Sequence, residues 1–248
     1  MKFIPILGAC TAAALAISAA AAIANGPVPA AGTVKGKVIF DGEAPKVKPL
    51  VIKEAQSEGC CAPGEMDTED RSLRVDKDGG IADVVVALTV DGAEIMMPKE
   101  AVVLDQKACR FEPHVLVVPV GASVAYKNSD TVSHNVHTYV TKNEPRNNTV
   151  PAGGTLEQKL DQSEAVRVAC DIHPWMESHI YVTKSTHYTV SAADGSFSLP
   201  EVPAGTYKLE IWHSKLGKGK GEVTVAEDGS SEMVEIKMGA KKKKRRRR

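Results

Sequence analysis

The chain of 248 residues has only five cysteines, almost no helical periodicity and, after its first two dozen positions, no apolar run near the roughly 20 residues that a spanning helix requires. The missing periodicity argues against a helix-built fold, and the missing apolar run against a membrane protein spanning with helices. No Ser/His/Asp grouping, paired acid site or Gly-rich phosphate loop stands out, which turns the reading away from an enzyme. Net charge of one sign is also lacking, since 31 basic residues balance 31 acidic ones.

That balance hides an uneven distribution. The last eight residues, Lys241 to Arg248, are all basic; without them and Lys2, 22 basic residues face 31 acidic ones. The opening MKFIPILGACTAAALAISAAAAIANG sets one lysine ahead of an Ala/Leu/Ile run and then Ala22-Ile23-Ala24. This is the pattern of a secretory signal peptide cut after Ala24, so residues 1–24 are expected to be removed and the remainder to be soluble, secreted or periplasmic. Lipid anchoring at Cys10 is disfavoured because the apolar run follows that cysteine instead of preceding it. Export argues against nucleic acid as a partner. The tail over 241–248 reads as a solvated segment, with an anionic membrane or an acidic protein as its sharper electrostatic partner.

Loss of Cys10 with the signal leaves Cys60, Cys61, Cys109 and Cys170 in an oxidising compartment, where disulfides are expected. If Cys170 has another task, one of the remaining three is left over. Cys109 with either Cys60 or Cys61 is the expected bridge, because adjacent cysteines bridging each other would need a strained ring.

Short β-branched runs bounded by Asp41-Gly42, Asp78-Gly79, Asp91-Gly92, Asp194-Gly195 and Asp228-Gly229 recur along the whole chain. Strands at this spacing predict an all-β protein, better read as two sandwiches than one.

The segment CDIHPWM places Cys170, His173 and Met176 at two-residue gaps. Soft sulfur and borderline nitrogen donors on one loop suit a metal that accepts both, as electron-transfer copper does with two histidines, a cysteine and a weak axial methionine. NSDTVSHNVH offers His134 and His137 for the second imidazole, and on a strand these two point to opposite faces, so only one can serve. Zinc is the competitor, but methionine is a poor zinc ligand and would leave three good donors. His114, His137, His179, His187 and His213 read as surface or packing residues, His187 and His213 being the ones that could approach an interface between domains; Trp175 and Trp212 read by default as packing aromatics.

The stretch FEPHVLVVPVGASVAYKNSDTVSHNVH, with CDIHPWM after it, resembles a cupredoxin of the amicyanin or plastocyanin type over residues 108–183. The resemblance implies a Greek-key sandwich holding one type 1 (blue) copper per chain through His134, Cys170, His173 and Met176. Asn135 would tie the first ligand to the cysteine segment, Pro174 would stiffen the loop, and Trp175 would be an apolar contact beside His173. It further implies one-electron transfer with a redox protein as donor or acceptor; copper storage or delivery in a structural module is the alternative. TVSAADGSFSLPEVPAGTYKLEIWH resembles the carboxypeptidase regulatory-like (prealbumin-like, Ig-like) module through Asp194-Gly195, Phe197, Pro203, Gly205, Tyr207 and Leu209. The expected organisation is an N-terminal β region over 25–107, a cupredoxin core over 108–185 and a small sandwich over 186–240; a strand within 32–45 either completes that small sandwich or is an outer strand of the first domain.

Overall fold

The computed structural model describes residues 30–53, 57–60 and 66–239; the expected signal over 1–24, Cys61 and the basic tail over 241–248 lie outside the described residues. Among the described residues there is no helix. Strands follow in the order β1 (Gly32–Phe40), β2 (Val85–Leu88), β3 (Val102–Lys107), β4 (Arg110–Glu112), β5 (Val115–Pro119), β6 (Ser123–Asn128), β7 (His134–Tyr139) and β8 (Asn147–Val150). They continue with β9 (Thr155–Lys159), β10 (Ala165–Ala169), β11 (Glu177–Thr183), β12 (His187–Val190), β13 (Ser196–Val202), β14 (Gly205–His213), β15 (Gly217–Val225) and β16 (Val234–Met238). The protein is all-β, as its sequence leads one to expect.

The first sandwich packs the sheet β5-β11-β10-β7-β8 against β4-β3-β6-β9, around a core that includes Leu104, Phe111, Val124, Tyr126, Val168 and Ile180. The second packs β13-β1-β16 against β12-β2-β14-β15 around Val38, Ile81, Val86, Leu199, Ile211 and Ile236. Each fully buried Val, Leu or Ile contributes about 1.5–3 kcal/mol relative to exposure.

β1 pairs antiparallel with β13 and parallel with β16, which puts the strand of residues 32–45 in the C-terminal sandwich. Its Val34, Val38 and Phe40 face inward while Lys35 and Lys37 alternate with them, the period of two that a half-buried strand needs. From the same N-terminal region β2 joins this sandwich too, between β12 and β14. All four residues of β2 are buried because both of its faces are covered: Val86 and Leu88 face the second core, and Val85 faces the seam between the sandwiches. At that seam Val85 and its sheet neighbour Trp212 meet Val115 of the first sandwich, with Tyr181 stacked obliquely on Trp212 at 5.2 Å between ring centroids.

The first sandwich begins with β3, so the division expected between 107 and 108 falls inside the β3–β4 hairpin. Lys107 opposes Arg110, leaving Ala108-Cys109 as a two-residue turn with φ of 51° at both positions. Hairpin turns of this kind usually carry Gly, Asn or Asp; their absence hid the pairing. The left-handed conformation costs roughly 1–2 kcal/mol for each L-residue. Asp130 offsets part of it, its two carboxylate oxygens accepting from the amides of Ala108 at 2.6 Å and Cys109 at 2.8 Å. In the second sandwich, the Tyr207 hydroxyl donates to the carbonyl of Pro203 at 3.0 Å and clamps the turn before β14.

Candidate metal centre

Pairing in the five-stranded sheet decides where the candidate ligands meet. β10 runs antiparallel to both β7 and β11, so the end of β10, the start of β7 and the loop joining β10 to β11 share one rim of the sandwich. Cys170 follows the last residue of β10, His134 is the first residue of β7, and His173 and Met176 lie on the connecting loop. Two backbone bonds close that loop, from the Met176 amide to the His173 carbonyl at 2.9 Å and from the Cys170 amide to the Met176 carbonyl at 3.2 Å.

His134, Cys170, His173 and Met176 are all buried, with exposures of 0, 2, 6 and 0 %. Nδ1 of His134 lies 2.9 Å from Nδ1 of His173, and Cys170 Sγ lies 3.7 Å from the same His173 nitrogen. A cation about 2.0 Å from each nitrogen and about 2.3 Å from the sulfur would hold nitrogen and sulfur ~3.7 Å apart at an angle near 120°, and two nitrogens 2.9 Å apart at roughly 90°. The donor set therefore fits a single metal ion, and its two imidazoles, one cysteine sulfur and nearby thioether residue fit copper better than zinc.

Protonation follows from the neighbours. Asp130 Oδ2 lies 2.7 Å from His134 Nε2, and a carboxylate only accepts, so the ring hydrogen sits on Nε2 and Nδ1 presents a lone pair to the centre. Burial holds the His173 pKa below its usual value, which keeps that ring neutral and able to ligate. Asn135 ties the two sides together: its amide donates to Cys170 Sγ at 3.4 Å and its side-chain oxygen accepts from the Asp171 amide at 2.8 Å. Pro174 is exposed on the loop. Trp175 is half-buried, its ring 5.2 Å from that of His173, and its indole N–H donates to the carbonyl of Cys109 at 3.1 Å.

His137 points the other way, as the strand argument requires. It is partly exposed, stacks on Tyr139 at 4.2 Å between centroids and meets the Asp171 carboxylate at 3.1 Å. Cys60 and Cys109 are joined in a disulfide, which selects Cys60 from the two candidates, and Cys170 is a free, buried thiol.

Two features of the site escaped the sequence reading. One is Asp130, four residues before His134; an acid at that spacing is common, and only the turn after β6 aims it at the ring. The other is the position of the disulfide. Cys60 Sγ lies 3.9 Å from His173 Nε2, and Cys109 Sγ lies 3.9 Å from His134 Nε2, so the bridge covers the outer edges of both imidazoles.

Residues 164–233 match the family model described as polysaccharide lyase family 4, domain II, well under half of the chain. No curated protein matches. Among solved structures, the Cu-containing nitrite reductase (NirK) from Thermus scotoductus SA-01 is 24% identical over 39% of this chain and 25% of its own, with a TM-score of 0.33. The chain thus spans a quarter of that reductase's length. The purple cupredoxin from Nitrosopumilus maritimus is 21% identical over 33% of this chain and 99% of its own, with a TM-score of 0.30. A Cu(I) structure of an amicyanin mutant is 18% identical over 40% of this chain and 98% of its own, with a TM-score of 0.32. Such values describe partial overlaps and no more.

Proposed function

We propose that the chain is an exported type 1 copper protein that carries single electrons. The observation that carries this reading is the convergence of His134 Nδ1, His173 Nδ1 and Cys170 Sγ at one buried rim, at separations that suit one cation. Copper held there would supply the Cu(II)/Cu(I) couple. Asp130 fixes the His134 ring, Asn135 fixes the cysteine, and the two backbone bonds of the 170–176 loop limit how far ligands can move between oxidation states. Small ligand movement lowers the reorganisation that electron transfer has to overcome. In this reading Met176 would supply a weak thioether donor, the partner is a redox protein that docks near Trp175, and the chain is a carrier and not an enzyme. The carboxypeptidase regulatory-like reading of residues 186–240, the periplasmic or secreted setting and the electrostatic role of the basic tail belong to the same proposal.

A second reading, copper holding or delivery, is favoured by one observation: His173 is 6 % exposed, covered by the disulfide, where direct exchange with a partner needs an open ring edge. Voltammetry separates the two. A reversible midpoint potential that shifts in Met176→Gln, with fast self-exchange, supports the carrier; irreversible reduction with loss of copper supports holding or delivery.

A further inference from the structure

The Cys60–Cys109 disulfide is joined to the candidate copper centre without belonging to it. Cys60 belongs to the short segment 57–60, seated against the turn before β7 by the Thr131 hydroxyl, which donates to the Gly59 carbonyl at 3.3 Å. Gly59 has a φ of 81°, and a Cβ there would lie 2.5 Å from Val132, so only glycine lets the segment come this close. Cys109 is held from the other side by Asp130. The two sulfurs and His173 Nε2 all lie within 4.8 Å of one another, on the far side of the imidazole from Cys170.

We propose that this disulfide is a latent second metal site: once reduced, Cys60 and Cys109 bind a thiophilic monovalent cation, Cu(I), with His173 Nε2 as third donor. The idea rests on the copper reading only in sharing His173. Two thiolates and an imidazole are a donor set that soft Cu(I) favours, and the three atoms need only the opening of one S–S bond to surround it. Opening requires a dithiol reductant. Its thiolate attacks Cys60, which keeps 7 % exposure while Cys109 has none, and Cys109 leaves as a thiolate. The reductant's second thiol then releases Cys60 from the mixed disulfide. Two electrons and two protons pass to the cysteine pair and the reductant departs as a disulfide. On binding Cu(I) both thiol hydrogens, and the hydrogen on His173 Nε2, leave to solvent. The protein would then hold one copper when oxidised and two when reduced.

The test uses the full chain carrying Cys10→Ser and Cys61→Ser, so that other thiols do not compete, with Cu(I) supplied from a bicinchoninate buffer and counted by native mass spectrometry. Reduction by a trialkylphosphine, whose phosphorus takes up the oxygen of a water, is verified by counting two new thiols. Bound copper is expected to rise from one to two per chain. Adding Cys60→Ser with Cys109→Ser should hold it at one, and alkylating the freed thiols with iodoacetamide should do the same if that variant does not fold. Adding Cys170→Ser should give none before reduction and one after, so that a failure of the type 1 reading and a failure of this one are seen separately. A reduced chain that stays at one, a second copper that survives loss or alkylation of the two thiols, a disulfide that resists reduction in the folded chain, or unfolding on reduction overturns the proposal.

Discussion

The protein buries histidines in two places, and the two groups behave differently. At the rim of the first sandwich, Nδ1 of His134 and Nδ1 of His173 face each other and a thiol, with Asp130 fixing the tautomer of His134. Beside the seam, His114, His179 and His213 gather without a sulfur, and their nitrogens do not converge. His114 Nδ1 donates to the Glu177 carbonyl at 3.1 Å, which leaves its buried Nε2 without a partner, and His179 Nδ1 is likewise unpaired. His213 Nδ1 accepts from the amides of Lys215 and Leu216, closing the turn after β14. Low exposure is shared by both groups, His179 being half-buried; convergence of donors is not. An imidazole becomes a ligand when its neighbours aim it, and otherwise it is an expensive packing residue.

The strongest way to break this comparison is to remove the sulfur. Cys170→Ser is expected to abolish the thiolate-to-copper charge-transfer band that Cu(II) should raise in the metal-free protein, and to leave the fold intact by circular dichroism. Tight, colourless zinc binding that survives the change would remove the copper reading altogether.

Next in size is the contrast between the two histidines of β7. His134→Ala should weaken copper by more than the ~10–100-fold typical of losing a group that only supports a ligand. His137→Ala, at a partly exposed position, should shift stability by no more than about 0.5 kcal/mol and leave the spectrum in place. Absorption titrations of both variants check it; the opposite result would mean the wrong face of the strand carries the metal.

The seam histidines give a pH test. Burial lowers the pKa of His179 and of His213 to about 4 in the folded chain, and it lowers that of His114 as well. The charges around them are Asp83, Glu177, Arg71, Arg74, Arg167 and Lys215, besides one another. In the unfolded chain each titrates near ~6.5. As pH falls from neutral, the unfolded state takes up protons first, so stability drops through this window and levels off below about 4, by about 3 kcal/mol for His213. Urea denaturation at several pH values should show His213→Asn, which keeps an acceptor for the two amides, losing correspondingly less on acidification. An unchanged slope would place that sensitivity elsewhere.

The smallest expected effect sharpens the role of Asp130. Asp130→Asn keeps a hydrogen-bonding oxygen but removes the charge behind His134 Nε2. It should raise the copper midpoint potential, because with less negative charge nearby Cu(II) loses more stabilisation than Cu(I), and weaken Cu(II) binding about 10-fold, the lower end for an outer partner of a metal ligand. Voltammetry and competition titration read both; an unchanged potential would limit Asp130 to holding the β3–β4 turn.

Much of this was legible in the linear chain. Period-two alternation and Asp-Gly turns are local signals, and they determined the all-β class, because a strand's burial pattern is set by its own alternate residues. The loop from Cys170 to Met176 is local too, so its spacing alone announced three donors, and the opposed faces of one strand separated His134 from His137. What needed distant parts of the chain was not legible. Which strands β1 and β2 join, how Asp130 reaches both the turn at Cys109 and the ring of His134, and how Cys60 comes to rest on His173 all depend on side chains that meet only after two sheets have packed. Sequence determined the donors because short-range geometry is written in spacing; tertiary structure decided what surrounds them, because packing chooses among many distant partners that spacing does not distinguish.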